Sequence, residues 1–145
     1  LSYAQPAALP DSLQRVNDKY LANLKTVIKG KEDQPASEVY LNIQMMKKLP
    51  AARLLDVMNN VFARSLGVTC ELCHVPREWQ KDDKPPKQIA RDMVKMVGTI
   101  NDSLLASIKN LPDPNPRIGC FTCHRGQAIP AGAMGRREGP APAKK

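Results

Sequence analysis

The stretch LGVTCELCH at residues 66–74 decides the fold, and CFTCH at residues 120–124 repeats its ending about fifty residues later. These two segments hold all four cysteines and both histidines of the chain. Cys-x-x-Cys-His is the attachment signature of c-type haem. One helical turn presents both thiols along one edge of a porphyrin, where they form thioethers with its two vinyl groups, and the adjacent histidine lies under the iron. The repeat therefore predicts two covalently bound haem c groups.

Two other uses of paired cysteines match the chain less well. In a zinc ribbon the second pair follows after roughly 15–20 residues, whereas Cys73 and Cys120 are 47 positions apart, and zinc gives no reason for either histidine. A dithiol redox pair needs a strand-then-helix context, which the pattern lacks. We therefore assign the thioethers and the proximal iron ligands to six residues: Cys70, Cys73, Cys120 and Cys123 for the thioethers, and His74 and His124 for the iron.

The sixth ligand of each iron has to be a residue other than histidine, because both histidines are already used. The remaining soft donors are the six methionines, and a thioether ligand favours the ferrous state. Met58 lies on the apolar face of a predicted helix whose chain soon returns at Cys70, so we predict that it ligates the first iron. Met93 and Met96 lie three positions apart on one face of another predicted helix, and periodicity alone does not separate them.

Hydrophobic spacing predicts three main helices. The first is capped by Asp11 or Ser12 and stops at Gly30, the second runs from 51 to 66 and is closed by Gly67, and the third spans about 86–109. Residues 39–49 fit either a strand or a short helix. The third helix carries an apolar stripe that we expect to be buried: Ile89, Met93, Met96, Val97, Ile100, Leu104 and Ile108.

These patterns together predict an all-α multihaem cytochrome c, with two helix–CxxCH units joined by long irregular connections. Thirteen prolines and eight glycines account for the irregular chain. We divide the sequence into an N-terminal helix and linker at 1–38, a dihaem domain at 39–130 and a flexible basic tail at 131–145.

Composition limits the partners and the surroundings of this chain. Its 145 residues suit one domain, and no apolar run approaches the ~18 residues of a membrane span. Basic side chains outnumber acidic ones by 22 to 14, but the excess is spread out, and neither a recognition helix nor a basic stripe with interleaved aromatics is present. We therefore expect redox protein partners, no nucleic acid and no transmembrane segment.

Beyond these separate features, the chain resembles the cytochrome subunit of purple-bacterial photosynthetic reaction centres and its small stand-alone relatives. The resemblance covers about residues 39–130. It is carried by the following segments: LPA at 49–51, LGVTCELCH at 66–74, DDK at 82–84, KQIARDMVKM at 87–96, IN at 100–101 and CFTCHRG at 120–126.

The resemblance also implies a ligand set. The family's subunit holds four haems in two related halves, so this chain corresponds to one half with two haems. By position, the family's methionine ligands fall on Met58 and Met93, which leaves Met96 as a core residue. Ser107 stands where the family has a histidine that serves another haem of the full subunit, and this agrees with a two-haem protein.

We therefore predict a periplasmic dihaem c-type cytochrome that transfers single electrons between redox partners through two His/Met-ligated haems. The alternatives are an electron-relay subunit of a photosynthetic or respiratory membrane complex and a dihaem peroxidase, which would need a vacant iron position. We expect an electron-transfer protein rather than an enzyme, with its export signal already removed before the sequence begins. Arg125 is a candidate contact for a haem propionate, as are Lys87 and Arg91, and Trp79 is expected at a porphyrin edge.

Overall fold

A computed structural model describes residues 8–132 of the chain. Residues 1–7, with the expected end of the export signal, and 133–145, with most of the expected basic tail, lie outside the described residues. The described part is helical, with two isolated β-bridges and no β-strand, so the all-α prediction is confirmed. None of its helices combines the length and the apolar character that a membrane crossing requires.

Within residues 8–132, five helical segments make up this fold, together with a short 3₁₀ turn at Cys70–Leu72. They are α1 (Asp11–Val27), the single turn α2 (Ala36–Val39), α3 (Ala51–Val57 continuing through a π-helical turn Met58–Ala63 to Arg64–Leu66), α4 (Pro85–Thr99 continuing through a π-helical turn Ile100–Leu105) and α5 (Cys120–His124).

The first helix begins at a proline rather than at a side-chain cap. The backbone N–H groups of Leu13 and Gln14 both donate to the Pro10 carbonyl, at 2.9 and 3.0 Å, and no side chain caps the helix. The prediction that Asp11 or Ser12 is the cap is therefore wrong. Pro10 serves because its ring presets φ and the amide that it lacks would have no helical partner there.

A small apolar core joins α1 to α3. Ile28, Ala51 and Leu55 are buried together, and the half-buried residues packed around them are Leu21, Leu24, Val39, Tyr40 and Ala52. The Tyr40 hydroxyl donates to the Ala51 carbonyl at 3.0 Å, which satisfies the polar end of this side chain. The N-terminal helix thus packs directly on the domain that carries the first motif.

The segment at 39–49, which the sequence left ambiguous, belongs to a loop whose two ends are joined by backbone hydrogen bonds. The Ala36 N–H donates to the Leu49 carbonyl at 2.7 Å, and the Ala51 N–H donates to the Gln34 carbonyl at 2.9 Å. Between these bonds only α2 is helical, and residues 41–49 form turns rather than a strand or a helix. Because its two ends are joined, the loop keeps a defined position with little regular secondary structure.

Helix α3 runs directly into the first motif. Its π-helical turn begins at Met58, and such turns are frequent at functional sites because they redirect side chains. Gly67 ends the helix with a left-handed backbone at φ 67°, as the sequence predicts.

The apolar stripe predicted to be buried along α4 and just beyond its end is wrong at five positions. Ile89, Met93, Met96, Leu104 and Ile108 retain between 40% and 57% exposure. The residues of α4 that are buried are Lys87 and Arg91 instead. Protein atoms of the described residues therefore cover the basic side of this helix better than its apolar side.

The two motif-bearing regions meet at a pair of glycines. The Gly126 N–H donates to the Ser65 carbonyl at 2.9 Å. A Cβ added to Gly67 would lie 2.0 Å from the Gly126 carbonyl oxygen, so only glycine allows this approach. The chain after α5 is thereby fixed against the end of α3, and the two motifs are neighbours in space.

Candidate functional site

The first motif opens onto an apolar cleft of about 830 Å³, including the space open to solvent at its mouth. Cys70–Leu72 form a single 3₁₀ turn, and the His74 N–H donates to the Cys70 carbonyl at 3.0 Å. The cleft-lining residues that matter here are Met45, Met58, Phe62, Cys70, Cys73, His74, Trp79, Lys87 and Arg91.

The orientation of His74 leaves one ring nitrogen for a metal. Its Nδ1 lies 3.1 Å from the Trp79 carbonyl oxygen, and because a carbonyl can only accept, Nδ1 carries the proton and Nε2 has a free lone pair. Burial lowers the pKa of His74, which favours the neutral imidazole that binds metals. Metal-ligating histidines usually hold their second ring nitrogen in this way.

The predicted ligand Met58 lines the same cleft as His74, Cys70 and Cys73. The fold thus brings together all four residues that the sequence analysis assigned to the first haem. Met45, from the loop before α3, lines this cleft as well. The sequence had placed Met45 in an ambiguous segment and gave no signal that it would come near the first motif.

Two buried cations stand at the cleft beside a partly exposed carboxylate. Arg91 forms a bidentate pair with Asp82, at 2.8 and 3.1 Å, and the Lys87 Nζ lies 3.0 Å from Asp82 Oδ1. Lys87 Nζ also donates at 2.9 Å to the Trp79 carbonyl oxygen, which also accepts the hydrogen bond from the His74 ring Nδ1–H. The hydrogen bonds from Arg91, Asn42 and Lys87 hold the pKa of Asp82 well below its usual range.

The first helix contributes contacts that the sequence analysis missed. Asn17 is fully buried against Cys70, Tyr20 donates from its hydroxyl to Glu71, and the Tyr20 and Trp79 rings meet edge to face with centroids 5.3 Å apart. Because these contacts join residues more than fifty positions apart in the sequence, no local periodicity could have predicted them. Trp79 also contacts the His74 ring, at 5.8 Å between centroids.

The second motif repeats the arrangement of the first on α5. The His124 Nδ1 lies 3.0 Å from the Gln127 carbonyl oxygen, so its Nε2 is again the free nitrogen. The Gly119 N–H donates to the Thr122 hydroxyl at 3.0 Å and fixes the start of the turn, while Arg125 follows with a left-handed backbone at φ 50°. Burial raises the pKa of Cys120, as it does for the two cysteines of the first motif.

Met93 and Met96, the two candidate ligands at the second motif, are both partly exposed. Met93 is 40% exposed and Met96 is 46% exposed, so neither side chain is enclosed. Arg125 is an exposed residue beside His124, and its approach to a propionate stays a prediction.

The donor chemistry of both motifs fits covalently bound haem. All four cysteines are free thiols, each histidine offers Nε2, and the first motif adds an apolar cleft with a thioether and two cations on its wall. Within residues 8–132, no three His, Cys, Asp or Glu side chains are grouped so that they could share one metal ion.

Comparison with known proteins gives a consistent picture. The profile of the family described as the photosynthetic reaction centre cytochrome C subunit matches residues 7–145. The chain is 34% identical over 106 residues to the photosynthetic reaction center cytochrome c subunit of Thermochromatium tepidum, covering 72% of this chain and 25% of that protein. It is 27% identical over 84 residues to cytochrome c-554 of Chloroflexus aurantiacus, covering 58% and 20% respectively.

A third relative is the photosynthetic reaction center cytochrome c subunit of Roseobacter denitrificans, with 26% identity over 122 residues, 79% of this chain and 31% of that protein. The chain therefore spans between about one fifth and one third of the length of these curated relatives.

Proposed function

Because this chain belongs to the family of photosynthetic reaction centre cytochrome c subunits, we propose that it is a dihaem c-type cytochrome that transfers single electrons between redox partners. Membership implies covalently bound haem c. The number of haems, their ligands and the compartment are our inferences from the residues.

A single observation carries the proposal for the first site. Met58, Cys70, Cys73 and His74 line one apolar cleft, and the bond from His74 Nδ1 to the Trp79 carbonyl leaves Nε2 for the iron. We assign the thioethers to Cys70 and Cys73 and the axial positions to His74 and Met58. At the second site we assign the thioethers to Cys120 and Cys123, and the axial positions to His124 and Met93.

When bound, each haem supplies a one-electron Fe(III)/Fe(II) couple. The chain would contribute two axial ligands to each iron. Both ligands would stay bound in the ferric and the ferrous state, so the geometry of each site would change little when an electron arrives. Thioether ligands favour the ferrous state. Lys87 and Arg91 add buried positive charge at the first site and suit the carboxylates of a haem edge.

Contact between the two motif regions supports transfer through the chain. The Gly67–Gly126 approach places α5 against the end of α3, so two haems held by these motifs are neighbours. One haem can then face a donor while the other faces an acceptor. We place the protein on the periplasmic side, where c-type haem is attached.

The test is a redox titration of the holoprotein followed by its visible and near-infrared spectra. We expect two one-electron steps, low-spin iron in both oxidation states and a methionine–iron absorption band in the near infrared. A high-spin iron that reacts rapidly with peroxide would instead identify a peroxidase, the enzyme alternative.

A second candidate role is an electron relay in a membrane complex. It is favoured by the Thermochromatium tepidum relative, which is named as a reaction centre subunit. Native membranes washed with salt distinguish the two roles. A free carrier leaves with the wash, whereas a bound subunit stays with the membranes and co-purifies with its complex.

A further inference from the structure

In each motif, an asparagine amide holds the residue that lies two positions before the first cysteine. The Asn17 Nδ2 donates to the Val68 carbonyl at 3.4 Å. Asn101 forms a closer pair with Ile118, donating from Nδ2 to its carbonyl at 3.0 Å and accepting at Oδ1 from its N–H at 2.8 Å. The two asparagines come from different helices, yet they bind the same backbone position relative to Cys70 and Cys120.

At the first site, the Asn17 side chain reaches the cysteine itself. Asn17 Oδ1 accepts from the Cys70 N–H at 3.0 Å and from the Cys70 Sγ at 3.3 Å. Asn17 has no solvent exposure, and a buried amide without partners would be costly. Here its partners are the chain entering the motif and the thiol. The amide therefore fixes the direction from which the first thiol enters the cleft.

At the second site, Asn101 belongs to the π-helical turn of α4. From there it crosses seventeen positions of sequence to Ile118, at the end of a proline-rich loop. The next residue, Gly119, donates from its N–H to the Thr122 hydroxyl, which fixes the backbone at the start of the turn that carries both cysteines. The second motif thus starts from a backbone held by α4, the helix that also bears Met93.

Ordering these segments matters for the covalent step. Each thiol adds across one vinyl group, forming a sulfur–carbon bond while the thiol hydrogen passes to the other vinyl carbon, so no oxidant is needed. Both thiols of one turn must meet two fixed positions on the porphyrin. Groups already held in the reactive geometry lose less conformational freedom at that moment.

We propose that Asn17 and Asn101 are positioning residues for covalent haem attachment, Asn17 for the first motif and Asn101 for the second. The inference rests on the proposed function, since it presupposes that both motifs take haem. It adds a role for α1, which lies outside the repeated helix–motif unit.

The test compares Asn17→Leu and Asn101→Leu in the full chain, expressed with an extracytoplasmic haem-attachment system. Intact mass gives the number of haems, and mass analysis of proteolytic fragments shows which cysteine pair carries each one. We expect Asn17→Leu to lower the ratio of first-site to second-site occupancy about tenfold, and Asn101→Leu to lower the inverse ratio by a similar factor. Asn23→Leu, an exposed position on the same helix as Asn17, should leave both sites filled.

Because each ratio is measured within one chain, a general loss of stability does not produce the expected result. Where Asn17→Leu is not recovered, the smaller polar variant Asn17→Ser gives the same comparison. Full occupancy of both sites in the variants would overturn the inference, as would an equal loss at both sites. A wild-type chain without haem would overturn the proposed function instead.

Discussion

The two histidines of the proposed haem sites are oriented by the same ring nitrogen. His74 Nδ1 and His124 Nδ1 each donate to a backbone carbonyl, of Trp79 and of Gln127. In both cases the same nitrogen, Nε2, is left free, and we assign it to iron. The first carbonyl is distinguished by a second donor, because Lys87 Nζ also binds the Trp79 oxygen. The two sites therefore share a ligand orientation but differ in local charge.

Replacing the proposed methionine ligands should change the potential of one haem at a time. Met58→His should lower the reduction potential of the first haem by on the order of 100 mV, because imidazole favours the ferrous state less than a thioether does. Met93→His should do the same at the second haem. A redox titration followed in the visible spectrum resolves both steps.

The chain offers a matched control for each of these substitutions. Met45→His concerns the second methionine of the first cleft, and Met96→His concerns the neighbour of Met93, so both should leave the two potentials close to wild type. If Met45→His or Met96→His causes the drop instead, the ligand assignment at that site is wrong.

Removing the buried charge of Lys87 should lower the potential of the first haem by a few tens of mV. A buried cation near the iron disfavours the ferric state, and charge interactions are screened less inside a protein than at its surface. Lys87→Gln should therefore shift the first step and leave the second in place. Lys95→Gln removes a charge from the same helix whose side chain is 78% exposed, and it should shift neither step appreciably.

At the scale of the elements, the helices follow from the sequence more closely than their surroundings do. The periodicity of α3 and α4, and the stop at Gly67, predict helices close to those observed. The π-helical turns, the closed loop before α3 and the docking of α1 were not predictable, because they depend on contacts between residues distant in sequence. Asn17 and Cys70, for example, are 53 positions apart.

In the candidate site, too, local sequence patterns predict some features, whereas contacts between distant residues decide others. The cysteines and histidines could be assigned from spacing alone, and Met58 from the helix that precedes the first motif. The apolar stripe of α4 was wrongly expected to be buried, because periodicity shows that a face is apolar but not what covers it. In the proposed holoprotein, a haem is the natural cover for the part of this face that bears Met93.

The contact between Gly67 and Gly126 can be tested by adding one methyl group. Gly67→Ala should lower the free energy of unfolding by at least about 1–2 kcal/mol, since alanine is disfavoured in a left-handed backbone and its Cβ would meet the Gly126 carbonyl. Urea unfolding of the holoprotein measures the change.

Gly98→Ala is the matched control. Gly98 lies within α4, and a Cβ there would have no neighbour within 4 Å outside the helix backbone. Alanine should raise the unfolding free energy by about 0.5–1 kcal/mol, because it loses less backbone freedom than glycine in a helix. A Gly67→Ala protein as stable as wild type would mean that the two regions do not approach as described.

At the scale of the whole molecule, Asp82 connects the parts that surround the first cleft. It pairs with Lys87 and Arg91 of α4, and the Gln44 side chain of the loop before α3 donates to it at 3.5 Å. The structure around the cleft is thus held together partly through one carboxylate, that of Asp82. This arrangement makes its stability depend on pH.

The depressed pKa of Asp82 fixes the sign of that dependence. The stabilisation is fully present above the ordinary value of 3.8 and is lost as the pH falls through the lower value of the folded state. Asp82→Asn should therefore be less stable than wild type at neutral pH, and the difference should shrink below about pH 4. Thermal unfolding of both proteins across this range measures the difference.

Asp83→Asn, at the exposed neighbouring position, is the control and should stay close to wild type throughout. A gap between Asp82→Asn and wild type that is unchanged from neutral to acid pH would contradict the ionic contact.

We propose that two iron porphyrins are covalently bound to this polypeptide, one at each motif. The most direct measurement is the intact mass of the purified native protein, combined with a pyridine haemochrome assay of its haem content. We predict the 16.0 kDa of the 145 residues, plus any further chain, increased by the mass of two haem groups, and two haems per chain in the assay. A chain without added haem, with one haem, or with bound zinc in place of iron would contradict it.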